Sequence, residues 1–228
     1  MQLTKTKKKE ILKGIITIIL FLSNSYLKII PILLFKIDVN NYTSKDLAIV
    51  NTSTEVLYII LLVILYHKEL KIEFKDFKKN FKTDFDIALK YWICGLGIMY
   101  ITNIIISIIT KMPSSSNETA VQSLITSAPY LMLITAGILA PIAEELTFRK
   151  GIAMLIKNKW IYCIISGLIF GLLHVIGYSG LEYLYLIPYG SLGFFFAIIY
   201  SKTNNIYPSI CMHALHNTIL VLLSIIAL

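Results

Sequence analysis

Apolar runs long enough to cross a lipid bilayer constrain this chain more than any other feature. The longest extend from Ile11 to Phe35 and from Ile206 to Leu228. A hydrocarbon core about 30 Å thick takes roughly 20 helical residues to cross. The 228 residues are 57% hydrophobic and 15% charged, against about 45–50% and about 25% in soluble domains. A soluble fold of this size could not hide so much apolar surface. The expected fold class is therefore all-α, a polytopic transmembrane helical bundle. The length allows about seven to eight spans with their connections.

Seven segments carry the pattern: 11–35, 46–66, 87–110, 129–156, 160–177, 184–201 and 206–227. Residues 1–110 read as N-terminal transmembrane helices and 111–228 as the core, within a single membrane domain. The first run is basic and then apolar, as in a signal peptide. It is too long for a cleaved one and lacks a small-x-small site, so it reads as an uncleaved first span. Tyr66, Trp92, Tyr130, Trp160 and Tyr207 stand near segment ends, where such rings anchor at the membrane interface.

The net charge of +8 sits mostly in two lysine blocks. One holds Lys5, Lys7, Lys8, Lys9 and Lys13; the other holds Lys68, Lys71, Lys75, Lys78, Lys79 and Lys82. Short lysine-rich segments stay on the cytoplasmic side. The N-terminus and the 67–86 connection are therefore expected in the cytoplasm, with 36–45 and 111–128 outside. An odd number of spans leaves the C-terminus outside, and one re-entrant helix would reverse that. No base-stacking or groove-reading motif accompanies the lysines, so nucleic acid is not an expected partner; membrane lipid is. Phe74, Phe77 and Phe81 recur at three and four residues within the second block. That segment is either an amphipathic surface helix or a solvated linker. Pro113, its serines and Asn117-Glu118 mark 111–128 as a loop. Cys94, Cys163 and Cys211 are odd in number and have no CxxC spacing, which points away from a disulfide framework or structural zinc. They read as small core hydrophobes.

The chemistry lies in Ala140-Pro141-Ile142-Ala143-Glu144-Glu145-Leu146-Thr147-Phe148-Arg149. Each charge within such an apolar run costs about 2.5–3.5 kcal/mol on insertion scales, so such residues face inward and pair. Glu145 and Arg149 are four apart and share a helix face. Glu144 points about 100° away from that face. A carboxylate without that partner suits general acid–base work. On this stretch alone, a structural salt bridge near the head groups competes with a catalytic role. Further on, His174 stands late in one apolar helix, and His213 and Asn217 are four apart in the last. Any one of these alone reads as an interhelical hydrogen-bonding residue. Counted at 1.5 Å per residue from the presumed cytoplasmic ends, Glu144 and Glu145 lie about 16–18 Å deep, His174 about 21 Å, and His213 and Asn217 about 13 and 20 Å. Three helices thus bring these groups to a similar level, which favours one polar chamber. Two histidines and a carboxylate (Glu144, His174, His213) could hold a divalent metal such as zinc and acidify its water. Alternatively Glu144 and His174 activate water directly, with His213 and Asn217 stabilising the oxyanion. GxSxG, HExxH and GxGD are absent.

These elements resemble the CPBP family of intramembrane proteases, also called the CAAX protease and bacteriocin-processing, or Abi, family. The likeness rests on Glu144-Glu145-x-x-x-Arg149, Phe170-x-x-x-His174 and His213-x-x-x-Asn217, in that order, over roughly residues 115–220. It implies an eight-helix-like fold and a catalytic core in 111–228. Glu144 would be the main catalytic carboxylate and His174 its partner in activating water. His213 and Asn217 would stabilise the oxyanion or complete a metal site, and Glu145 and Arg149 would orient the others. Family members are described both as metalloproteases and as metal-free glutamate proteases. The implied activity is endopeptidase cleavage of membrane-associated substrates: lipidated CaaX proteins, peptide pheromones or bacteriocins. A non-catalytic bacteriocin-immunity or scaffold protein on the same fold is the main alternative. A transporter or proton relay is the third, since intramembrane Glu and His serve there too, but no Gly/Pro-broken helices recur in matching halves.

Overall fold

The computed structural model describes residues 4–228, apart from the Lys5 side chain, so the first basic block is described from Lys7 onward. Eight helices and no strand occur among the described residues. They are α1 (Lys5–Leu22), α2 (Asn24–Leu34), α3 (Ser44–Thr110), α4 (Ser116–Ser127), α5 (Pro129–Leu155), α6 (Lys159–Leu173), α7 (Gly180–Thr203) and α8 (Ile206–Ile226).

The ends of these helices follow from local chemistry. Thr43 and Asp46 form a capping box before α3: Asp46 N donates to Thr43 Oγ1 at 3.1 Å, and Thr43 N donates to Asp46 Oδ2 at 3.0 Å. Pro129 opens α5, where a missing N–H is harmless. Asn158 Oδ1 accepts from Trp160 N and Ile161 N, both at 3.0 Å, and so starts α6. Asn204 in the left-handed region (φ 50) ends α7.

Two expected connections turn out to be helical. Residues 67–86 continue α3 without a loop, broken only by non-helical angles at Asn80. The stretch contains no Gly or Pro and is rich in Lys and Phe, so nothing in it stops a helix that has already begun. Of the two readings left open there, the helix holds. Phe77 is buried and stacks with Tyr207 at 5.9 Å, while Phe74 and Phe81 are exposed. The 111–128 segment, expected as a loop, contains α4. Its serines act as a helix start rather than a turn, with Glu118 in the first turn.

By length and composition, four described helices could cross a membrane: α3, α5, α7 and α8. The bent α1–α2 pair, angled by 58°, makes five if it is one span. Of the seven expected segments, 46–66 and 87–110 lie in the two ends of the single helix α3, and 160–177 corresponds to α6, which has only 15 residues. Large apolar side chains such as Leu22, Ile64, Ile108, Ile164 and Leu223 are exposed. An outward face this apolar suits lipid rather than water. Cys163 is buried but Cys94 and Cys211 are exposed, so only Cys163 is a core residue.

The chain forms two compact units that interleave along the sequence. The first takes the chain up to Lys71, Gln122–Leu155 and His213–Leu228. The second comprises Ile72–Val121 and Ile156–Met212. In the first unit α1 lies against the end of α5. A Cβ at Gly14 would come within 2.9 Å of the Gly151 carbonyl oxygen, and one at Gly151 within 2.8 Å of Thr17. Small residues thus allow the backbone approach. Phe21 then meets Phe148 edge-on at 5.0 Å, and Tyr58 OH pairs with Thr147 Oγ1 at 2.8 Å. In the second unit α6 lies on α7. A Cβ on Gly167 would sit 2.8 Å from the Gly190 carbonyl oxygen, and one on Gly171 would sit 2.7 Å from Gly190 N.

Candidate active site

In the first unit the site is built on α5, whose helix is irregular. Thr135–Leu139 and Glu145–Gly151 are π-helical, with ordinary α turns around them. Such segments cluster at functional sites. Pro141 explains part of the first one. Ala140 N–H bonds to Thr135 O, and Pro141 has no N–H. The Ala136 carbonyl therefore lacks both its i+4 and its i+5 helical donor. Asn217 Nδ2 on α8 donates to it at 3.0 Å. The Gly137 carbonyl, whose i+4 donor would be Pro141, accepts from Thr218 Oγ1 at 3.2 Å.

Glu145 and Arg149 are fully buried and form the expected i,i+4 ion pair, with Arg149 Nη2 3.2 Å from Glu145 Oε1. The same oxygen is 2.8 Å from His213 Nδ1. With the guanidinium beside it, Glu145 accepts, so His213 Nδ1 carries the proton. His213 is thereby fixed with Nε2 turned toward Glu144 Oε2, 3.6 Å away, which is longer than a hydrogen bond. Helical phase alone separates Glu144 from Glu145; in the fold one imidazole lies between them. The carboxylates differ in access: the Glu144 side chain is 26% exposed and that of Glu145 is 0% exposed.

Glu55, on the first part of α3, is near enough to Glu144 for their charges to interact. It carries the signal that singled out Glu144, an acid within an apolar run, and the motif search passed over it. His216, one turn beyond His213, is also buried on α8.

His174 belongs to the second unit and is the C-cap of α6. Its backbone N–H bonds to Gly171 O at 3.2 Å, leaving the Phe170 carbonyl without its helical donor. His174 Nδ1 supplies that donor at 2.8 Å. The ring stacks on Tyr189 at 4.5 Å and 23°, with Phe170 at 4.6 Å on another side. No sequence motif pointed to Tyr189; its role depends on a contact between helices.

Among the described residues, no group of three His, Cys, Asp or Glu side chains is placed to hold a metal ion. Within the first unit the donors do not suit one. There His213 Nε2 and the Glu144 carboxylate face each other while Glu145 is taken up by His213 Nδ1 and Arg149, which leaves two donors where a metal site takes three or more.

Comparison with known proteins places this arrangement. The profile of the type II CAAX prenyl endopeptidase Rce1-like family matches residues 126–219, which run from the approach to α5 into α8. A Lactococcus lactis UPF0177 protein, YxdF, is 32% identical over 142 residues, covering 60% of this chain and 77% of that protein. The chain belongs to the type II CAAX prenyl endopeptidase Rce1-like family. A Bacillus subtilis protein named as a candidate membrane peptidase, YdiL, is 30% identical over 141 residues. That match covers 60% of this chain and 49% of YdiL, so the chain spans about half of that relative. No solved structure matches the chain. Family membership and the apolar helices make this a membrane protein and support a membrane-protease role. All three motifs named from the sequence fall inside the matched family region.

Proposed function

We propose that this protein is a membrane-embedded endopeptidase that hydrolyses membrane-associated peptides with water activated by Glu144. The unequal treatment of two adjacent glutamates carries the reading. Glu145 is sealed between Arg149 and His213, while Glu144 keeps access and faces His213 Nε2. A pair of titratable groups in unlike environments is the pattern of divided acid–base roles.

In this mechanism Glu144 takes a proton from water as its oxygen attacks the scissile carbonyl carbon. The C=O π electrons move onto the carbonyl oxygen. Collapse of the tetrahedral intermediate expels the amine, which receives the proton from Glu144, leaving carboxylate and amine products. His213, locked through Nδ1, offers Nε2 as an acceptor to the Glu144 carboxyl once that group has taken the proton. Asn217 commits one amide hydrogen to Ala136 O and has a second for a developing oxyanion. Glu145 and Arg149 hold the imidazole in place. His174 is the proposed partner in activating water, as the family resemblance implies. Substrates of this class are lipidated proteins or short pheromone- or bacteriocin-type peptides presented at the bilayer, and in this reading the N-terminus is cytoplasmic, in line with lysine bias.

The test is cleavage of a membrane-presented peptide by purified protein in lipid. Glu144→Gln is expected to lower kcat by at least about 10²-fold, the lower end of what a positioned acid–base group contributes, while its thermal unfolding matches wild type. Undiminished cleavage by Glu144→Gln would remove Glu144 from the chemistry. Addition of a chelator is expected to leave cleavage unchanged, because in this reading Glu144 activates the water without a metal.

A further inference from the structure

We infer that Tyr189 is a positioning residue for His174, holding its imidazole with the proton on Nδ1 and the basic lone pair on Nε2. A carbonyl oxygen only accepts, so the 2.8 Å contact with Phe170 O requires Nδ1 to be the protonated nitrogen. The neutral ring then has its base at Nε2. This bond survives only while the ring keeps its rotation, and the Tyr189 face, 4.5 Å away and near-parallel at 23°, sets that rotation.

Tyr189 is itself held at both ends. Its ring packs on the cluster of Ile106, Val175 and Tyr185. Its hydroxyl meets Ser115 Oγ at 2.8 Å and accepts from Asn117 Nδ2 at 3.4 Å. The strap that carries Ser115 and Asn117 is pinned in turn by buried Glu182, which accepts from Ser116 Oγ at 2.6 Å and from Ser116 N at 3.2 Å. Tyr185 OH donates to Met112 O at 3.2 Å on the same strap. Close packing of Gly171 on Gly190, next to Tyr189, fixes the separation of the two helices. A glutamate, four strap residues and two tyrosines thus lie behind one imidazole.

The purpose of this device rests on the peptidase reading, but its geometry does not, and the test separates them. The full chain, labelled with ¹⁵N-histidine in nanodiscs, is measured by NMR at a pH where the ring is neutral. The His174 resonance is identified by its loss in His174→Gln. Wild type is expected to show Nδ1 protonated and Nε2 bare. Tyr189→Phe keeps the ring face and is expected to retain this tautomer; Tyr189→Leu is expected to give a tautomer mixture. An Nε2-protonated ring in wild type overturns the proposal whether or not any variant folds, as does a folded Tyr189→Leu with an unchanged tautomer. On a membrane-presented peptide, Tyr189→Leu is expected to lower kcat about tenfold with KM unchanged, part of what a positioned base supplies. A tautomer shift in Tyr189→Leu supports the positioning role even if wild type cleaves nothing, an outcome that would sink the peptidase reading alone.

Discussion

At the scale of single residues, the buried charges and orphaned carbonyls of α5 are the sensitive points. Arg149 is 0% exposed and faces Glu145. Removing it in Arg149→Ala leaves an uncompensated buried carboxylate and is expected to cost about 3–5 kcal/mol. The paired change Glu145→Gln with Arg149→Met is expected to recover most of that. Unfolding in mixed micelles measures both, and equal instability of the single and double variants would refute the pairing. Pro141 and Asn217 form a second coupled pair, because the proline denies the Ala136 carbonyl a donor that the asparagine replaces. Asn217→Ala is expected to cost about 1–3 kcal/mol, the penalty of an unsatisfied buried carbonyl. The same change in a Pro141→Ala background is expected to cost less, since the helix then supplies an N–H. A double-mutant cycle with no coupling would contradict this account.

At the scale of elements, glycine faces and π turns decide where side chains point. Gly167 and Gly171 are four apart on α6 and meet the backbone of α7. Gly171→Val pushes branched carbons into Gly190 N and Leu186 O and is expected to destabilise by about 1–3 kcal/mol, the usual range for overpacking. Gly97→Ala is the control, since a Cβ there meets nothing within 4 Å; its thermal unfolding is expected to stay at or above wild type. Equal losses in both would mean that helix packing is not the cause. The π turns were not legible in the residue pattern, which was read with a uniform 3.6-residue period.

At the scale of the whole molecule, the basic middle of α3 bears on topology. A straight 67-residue helix would be about 100 Å long, more than three times the hydrocarbon thickness, so the lysine-rich stretch between its apolar ends must leave the lipid. By lysine bias that stretch is expected in the cytoplasm. A cysteine at Lys79, in a chain with its three native cysteines replaced, is expected to resist an impermeant maleimide in intact cells and to react after lysis. Labelling in intact cells would reverse the orientation.

What the residues determined by themselves was the solvent and the inventory. Apolar run length selects a helical membrane fold because lipid leaves no other local way to satisfy the backbone. The rarity of charge in lipid singles out Glu144, Glu145 and Arg149, and i,i+4 spacing pairs the last two. Only the tertiary structure decided that His213 lies between the two glutamates, that Asn217 answers a carbonyl freed by Pro141, and that Tyr189 backs His174. Each of these joins residues from separate helices. Helical phase gives a direction around one axis but not the distance to a neighbour, which small residues at close contacts and π turns set instead.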